Sequence, residues 1–227
     1  MIVAVHQPQY LPWLGYFDKI DRADIFVLLD NVQFKKNEWQ NRNRIKTANG
    51  RQWLTVPVMY KHPQLINEVE INNKDKWQHR QRQTIISNYK KAHFWPFLEG
   101  FFEEIFSPEW QYISQLNIQA VKKLAKLLGI TTPIHVASEL GEFSEDPDER
   151  LIALTRHFDA HTYLAGIGGK GYMDLKKYTQ SGIELIFQEY KHPVYNQLFG
   201  AFEPFMSVID LIYNHGEKSL EILKGRL

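Results

Sequence analysis

The 227-residue sequence contains no cysteine. The chain therefore forms no disulfide, ligates no zinc through thiolates and uses no thiol nucleophile. It also lacks an apolar run close to the roughly 20 residues that a membrane-spanning helix requires. Its first residues show neither a basic region nor a cleavage-type pattern. We expect no membrane span, no signal peptide and a cytoplasmic location.

Excess charge of either sign is missing as well, since 27 Lys and Arg stand against 26 Asp and Glu. This balance gives no electrostatic case for nucleic acid as the main partner. The nucleophile motif Gly-x-Ser-x-Gly, which marks serine hydrolases, is absent. The histidines lack the paired spacing of a zinc site, so we predict no metal-ligating residues. Aromatic residues are abundant instead, at 14%. Many adjoin polar residues, which favours binding surfaces as well as core.

The N-terminal segment predicts a β-α-β unit with a candidate site in its first loop. Residues 2–5 are an apolar run typical of a strand buried on both faces, residues 13–22 form an amphipathic helix, and residues 24–30 form a second strand. In an open parallel sheet, ligands bind at the carboxyl ends of strands, where a helix N-terminus offers free N–H groups. We predict His6 and Gln7 as catalytic residues, and Gln9, Tyr10 and Trp13 as substrate-binding residues. A rigid structural loop with a hydrogen-bonded histidine is the alternative.

A second group of candidates follows the second strand. Asp30, Asn31 and Gln33 stand at its end, and an Asn-Arg-Asn-Arg run comes shortly after. Guanidinium groups bind phosphate bidentately, and amides recognise hydroxyls. We predict substrate contacts from Asn41, Arg42, Asn43 and Arg44. The alternative is an ordinary solvated loop.

The third group lies late in the chain. Glycines at 166, 168, 169 and 171 surround Lys170 after a predicted strand over residues 162–164, and such a backbone presents N–H groups to an anion. The run has neither Walker spacing nor a dinucleotide fingerprint, and a mobile surface loop is the alternative. Residues 190–205 form a long aromatic segment, which is typical of loops that cover sites. These two segments contribute the substrate-binding candidates Gly168, Gly169, Lys170, Tyr172, Tyr195 and Gln197.

The remaining pattern predicts the architecture. Asn49-Gly50 indicates a hairpin turn between residues 45–47 and 53–56, and we expect the segment 1–70 to hold most of the sheet. Helices are predicted over residues 74–93, 109–128, 206–213 and 217–223, with another opened by Asp146 and Pro147; further strands are predicted over residues 68–71, 132–137 and 183–188. Asp210 is either a buried acid or a solvent-facing one. We predict one α/β domain over residues 1–227, with a mostly parallel sheet, a hairpin insertion and a helical block at 74–128.

The opening run His-Gln-Pro-Gln-Tyr-Leu-Pro-Trp-Leu-Gly-Tyr-Phe, at residues 6–17, resembles the WbqC-like family. The resemblance continues at residues 30–34, 41–45, 53–57, 163–166, 195–197 and 202–211. It implies a role in bacterial surface-polysaccharide synthesis, with modification of an amino sugar. The arrangement is also reminiscent of the nucleotidyl-transferase fold, whose motif places two histidines where this chain has only His6.

These observations lead to two functional hypotheses. In the first, the chain is a transferase or an ATP-dependent ligase that moves an acyl or aminoacyl group onto the amine of a nucleotide-activated sugar. His6 acts as general base or as donor to developing negative charge. Arg42, Arg44 and Lys170 hold phosphates, with ATP or the nucleotide sugar as the ligand. In the second, the chain is a non-catalytic scaffold that binds a glycan or a partner protein. Donor, acceptor, metal requirement and oligomeric state stay open at this point.

Overall fold

The computed structural model describes residues 1–107 and 109–225. Its strands are β1 (Ile2–His6), β2 (Ile25–Leu28), β3 (Arg42–Thr47), β4 (Gly50–Thr55), β5 (Val58–Met59), β6 (Glu70–Ile71), β7 (Ile134–Val136), β8 (Thr162–Ala165) and β9 (Glu184–Phe187). Its helices are α1 (Leu14–Asp21), α2 (Trp77–Tyr89), α3 (Glu99–Phe106), α4 (Ile113–Leu127), α5 (Pro147–His157), α6 (Leu175–Gln180), α7 (Val208–His215) and α8 (Ser219–Leu223).

Five strands form one parallel sheet in the order β7-β2-β1-β8-β9. If these five strands are numbered by their order along the chain, the order across the sheet is 3-2-1-4-5. The first five strands of the doubly wound nucleotide-binding sheet have the same order. The chain reverses its direction of winding between β1 and β8. The predicted α/β class, parallel sheet and N-terminal β-α-β unit are confirmed. The carboxyl ends of β1 and β8 therefore border a topological switch point, where open α/β sheets bind ligands.

The expectation that the segment 1–70 holds most of the sheet is wrong. That segment supplies only β1 and β2 to the parallel sheet, whereas β7, β8 and β9 come from the later half of the chain. The β3–β4 and β5–β6 pairs are separate antiparallel sheets. The physical reason is composition, because β3 and β4 are mostly polar and bury only Ile45 and Leu54 as large apolar side chains, whereas a central parallel strand is buried on both faces and needs an apolar run.

The two faces of the parallel sheet pack against different helices. Ala4 and Phe26 face a large cluster that includes Phe17 of α1, while Val3 and Val27 face a smaller one that includes Leu154 of α5. The large cluster also contains buried residues of α2, α4 and α7. The helical block is thus joined to the sheet through a continuous core, in agreement with a single domain.

Most predicted elements are present with slightly shorter bounds. Trp77, Ile85 and Tyr89 form the buried face of α2. The Asp146 carboxylate caps α5 by accepting from Glu149 N at 2.9 Å. The hairpin turn differs by one position. Thr47 pairs with Gly50, so Ala48 and Asn49 form the loop and Gly50 takes the left-handed position, with φ 93°. Within the two described ranges, no helix is both long and apolar enough to span a membrane.

Candidate functional site

A cleft opens at the carboxyl ends of β1 and β8. It consists of two adjoining cavities of about 400 and 490 Å³, which share His6, Lys19, Gly166 and Gly168 in their walls. These volumes lie within the range of small-molecule sites. The cleft therefore lies at the predicted end of β1, and the glycine run of residues 166–171 forms its opposite wall.

The loop after β1 is held in place by side-chain amides. Gln40 donates from Nε2 to Gln7 Oε1 at 2.7 Å, and its own Oε1 accepts from the Lys35 backbone N–H at 2.7 Å. Asn117 of α4 donates to the Gln40 carbonyl at 2.7 Å. Gln40 and Asn117 are buried and escaped the sequence analysis. They fix the Gln7 side chain at the edge of the cleft.

His6 is neutral in this environment. Its Nδ1 lies 3.1 Å from the Gln7 carbonyl oxygen and its ring packs edge-on against Tyr16, with ring centroids 4.8 Å apart. Part of the side chain reaches the cleft, yet protein encloses most of the ring, and this burial, together with the Lys19 charge, lowers the pKa of His6 to about 3. Because a carbonyl only accepts, the contact assigns the proton to Nδ1. The Nε2 lone pair is then left to accept a hydrogen bond from a ligand.

Lys19 is a further cleft residue that the sequence did not indicate. Its side chain points from α1 beneath β1, where Nζ donates to the Val5 carbonyl at 2.8 Å, and the residue is only 3% exposed. Among the described residues it has no carboxylate within ion-pair distance. Burial lowers the pKa of Lys19 from 10.5 to about 7. The signal available in the sequence was its spacing of three and four residues from Tyr16 and Gly15, which places it on their face of the helix.

The glycine run contributes backbone to the cleft, but its lysine does not. Gly168 and Gly169 line the first cavity, and a Cβ on the buried Gly169 would lie 2.5 Å from Met173 Sδ. Tyr172 also lines this cavity and is 79% exposed. Lys170 is exposed, with Nζ 5.2 Å from the Phe187 ring centroid, and it is not among the lining residues of either cavity.

Trp13, one of the predicted substrate-binding residues, lines the second cavity. Its ring packs against Tyr190 and Phe205 of the aromatic segment, with centroids 5.5 and 5.6 Å away. A Cβ on Gly15 would overlap the indole, so glycine at this position allows the ring to lie over the start of α1. The aromatic segment thus borders the cleft through Trp13.

Several predicted site residues lie elsewhere and make internal hydrogen bonds. Asp30 accepts from the backbone N–H and hydroxyl of Ser138, joining the ends of β2 and β7. Asn43 donates to the carbonyls of Tyr10 and Leu11. Three more are hydrogen-bonded: the Tyr10 hydroxyl donates to Gln81, Gln33 pairs with His62, and Asn41 donates to the Val56 carbonyl. Gln9 and Asn31 differ, because their buried Oε1 and Oδ1 atoms have no hydrogen-bond partner among the described atoms.

Tyr195 and Gln197 are placed around a buried acid. Asp210 accepts from Tyr89 and Tyr195 hydroxyls at 2.6 and 2.9 Å, and from Gln197 Nε2 at 2.7 Å. Burial raises the pKa of this carboxyl, and the three donors oppose that rise. The question left open by the sequence is therefore answered, because Asp210 is an interior, hydrogen-bonded acid. Arg42 and Arg44 form a further, separate group on the β3–β4 hairpin.

The described residues contain no group of three or more His, Asp or Glu in a metal-holding arrangement. The charged side chains that line the cleft are mainly cations, with one carboxylate, that of Glu189, in the second cavity. Lys35 and Lys191 line its two cavities, in addition to Lys19. Such a set suits a phosphate-bearing ligand.

Comparison with known proteins gave two matches in sequence. The model of the WbqC-like protein family matches residues 7–222. Over 226 residues the chain is 33% identical to the uncharacterized protein Rv1507c of Mycobacterium tuberculosis, an alignment that covers 98% of this chain and 97% of that protein. No solved structure matches the chain.

Proposed function

The chain belongs to the WbqC-like protein family, and we propose that it is an enzyme of bacterial surface-polysaccharide precursor synthesis. In this proposal the cleft binds a nucleotide-activated amino sugar, and the enzyme transfers an acyl or aminoacyl group to the sugar amine. The observation that supports it is the presence of His6 and Lys19 together in one cleft at the switch point of a parallel sheet. Titratable groups shifted by burial in such a cleft are typical of active sites.

Binding would use the positive groups around the cleft. Lys35 lines the first cavity and Lys191 the second, and both would contact phosphate oxygens. Gly168 and Gly169 have no side chains, so the ligand can approach their backbone closely. Trp13 provides an indole face on which a sugar or base would stack. The electrostatic attraction is local, since the net charge of the whole chain is only +1.

The chemistry would depend on a proton acceptor for the attacking amine. In acyl transfer the amine nitrogen forms a bond to the carbonyl carbon, the bond to the leaving group breaks, and the amine loses a proton. A base with a pKa near the working pH performs this step best. Lys19, with its pKa near 7, meets that condition, whereas the low pKa of His6 makes it a weak base. We therefore assign proton acceptance to Lys19, and orientation of the amine by hydrogen bonding to His6 Nε2.

The test has a binding arm and a turnover arm. Binding is read from the melting temperature with ATP, UDP-linked amino sugars and acyl-CoA. A ligand at a hundredfold excess over its dissociation constant contributes about 2.7 kcal/mol, or roughly 5–10 °C for a chain of this size. Turnover is read by mass spectrometry as the acylated sugar nucleotide.

Lys19→Met should retain the fold and lose turnover, and the matched control Lys91→Met, at an exposed site, should retain both. Absence of a thermal shift and of product with every donor would refute the proposal. Binding of a glycan with no product from any donor would favour the scaffold hypothesis instead.

A further inference from the structure

The β3–β4 hairpin has one buried face and one open face. Ile45 and Leu54 lie on the buried side, at 0 and 2% exposure. Opposed residues of an antiparallel pair point to the same side. The other face carries three such pairs, Arg42 with Thr55, Arg44 with Trp53, and Lys46 with Arg51, and it is open except at Lys46, which is only 2% exposed. Four of these six residues are cations.

Negative charge on this face is scarce. Arg51 pairs with Glu203, Nε to Oε2, at 2.5 Å. Lys46 donates to the Ala201 carbonyl at 2.5 Å, and is thereby held under the segment that carries Glu203. Arg42 and Arg44 have no carboxylate partner within the described part of the chain. Glu203 acts on Arg44 from beyond ion-pair distance and is already paired with Arg51, so the hairpin face keeps a net positive charge.

The arginines are instead fixed by stacking on tryptophan. The Arg42 guanidinium carbon lies 4.3 Å from the Trp53 ring centroid, and that of Arg44 lies 5.3 Å from Trp39 and 5.4 Å from Trp53. The two indoles are 5.7 Å apart. Stacking orients the guanidinium planes before any ligand arrives, so less side-chain entropy is lost on binding. The Nε atoms of both arginines are buried without a hydrogen-bond partner among the described atoms, while Trp53 remains 43% exposed.

We propose that this hairpin surface, formed by Arg42, Arg44 and Trp53 with Trp39 and Arg51, is a second binding site that takes an anionic saccharide. Paired guanidinium groups bind phosphate or carboxylate oxygens in a fork geometry, and an exposed indole stacks on the apolar face of a sugar ring. One exposed indole and two free guanidinium groups match one or two sugar rings in size. A long polyanion is disfavoured by the overall net charge of +1.

The hairpin surface is linked to the cleft by a short path. Trp39 precedes Gln40, whose amide holds the Gln7 side chain at the cleft edge. The backbone of Arg44 is connected to the other side of the cleft, because its carbonyl accepts from the Ser207 N–H, and Ser207 is bridged to Trp13. A saccharide on the hairpin would thus be the second substrate. That role rests on the proposed function, whereas the binding does not.

The experiment is calorimetric titration of the full chain with glucose 1-phosphate and glucuronate, with glucose as the uncharged control. Arg44→Gln and Trp53→Ala should each weaken binding of the anionic sugars at least tenfold, because each removes a charged hydrogen-bonding group or the stacking face. Arg80→Gln removes an arginine that pairs with Asp75 elsewhere, and should leave binding unchanged. Melting curves verify that each variant folds. Because Trp53 is exposed, its truncation to alanine should leave the hydrophobic core intact.

Lys19→Met separates this proposal from the proposed function. Retained titration in that variant supports the hairpin site even if no enzymatic product is ever found. The inference is overturned by the absence of saturable binding, or by equal affinity in Arg44→Gln or Trp53→Ala. The inference is also overturned if inorganic phosphate binds as tightly as the anionic sugars and its affinity is the same in Trp53→Ala. Tighter binding of a single-stranded RNA hexamer that depends on the same residues would overturn it too, because it would assign the surface to nucleic acid.

Discussion

Replacing Lys19 with methionine should stabilise the protein at neutral and acidic pH. The lysine is 3% exposed and has no counterion among the described residues, and burial lowers its pKa from 10.5 to about 7. This difference of about 3.5, multiplied by 1.36 kcal/mol for each tenfold change, corresponds to roughly 5 kcal/mol of cost when the folded protein must hold the ammonium. Methionine has a similar shape and no charge. It loses the hydrogen bond to Val5, worth about 1 kcal/mol, so the net gain is about 4 kcal/mol.

The pH dependence gives the prediction its direction. Above pH 7 the folded protein releases the Lys19 proton, whereas the unfolded chain keeps it until about pH 10.4. At this site the unfolded state therefore binds more protons between these values, and the contribution of Lys19 to the stability of the wild-type protein rises with pH across this window. The cost is complete below pH 7 and nearly absent at pH 10. The advantage of Lys19→Met should accordingly shrink by about 4 kcal/mol between pH 6 and pH 10.

Urea unfolding of both proteins at pH 6, 8 and 10 measures this difference directly. Other groups titrate over the same range, but they are common to both proteins and cancel in the comparison. Lys91→Met, at an exposed position, should differ from the wild type by no more than about 0.5 kcal/mol at every pH. A difference between Lys19→Met and wild type that does not change with pH would refute the reasoning, because Lys19 would then keep an ordinary pKa.

Two further predictions concern the cleft rim and the buried acid. Gly15→Ala places a Cβ within the space of the Trp13 indole and displaces the ring. Nucleotide-sugar binding should weaken several-fold, with a near-unchanged melting temperature. Unaltered affinity by calorimetry would show that the Trp13 ring does not contact the ligand. Tyr89→Phe removes a 2.6 Å hydrogen bond to the Asp210 carboxylate and should lower the free energy of unfolding by about 1.5–3 kcal/mol, as measured in urea. A loss below about 0.5 kcal/mol, the size of an ordinary surface substitution, would mean that the remaining donors, Tyr195 among them, compensate fully.

The position of the candidate site could be predicted in part from the sequence. A buried apolar run followed at once by His6 and Gln7 is a local pattern, and a parallel sheet brings such strand ends to one edge. The β1 and β8 ends were therefore correct candidates for the cleft border. The sequence also placed Arg42 and Arg44 together, because they are near each other along the chain. Their strand lies outside the parallel sheet, however, and the Arg42 guanidinium stacks on Trp53.

Other site features could not be predicted, because they depend on contacts distant in sequence. Lys19 is buried because its ammonium group reaches the Val5 carbonyl of β1 and lies over the Tyr163 ring of β8. A lysine in an amphipathic helix is solvated in most proteins. Gln40 and Asn117 act through hydrogen bonds to a loop formed at the start of the chain. Nothing in their own sequence neighbourhood indicates that partner.

The sequence by itself determined the α/β class, the strand that leads into His6, the capped start of α5 and the family. Each of these depends on local periodicity, on a cap within one turn or on a contiguous motif. Only the tertiary structure decided the 3-2-1-4-5 strand order, the placement of Lys19 beside His6 and the separation of the hairpin surface from the cleft. The reason is that strand order and burial are set by the packing of the whole core, and a pKa follows burial and neighbouring charge rather than residue type.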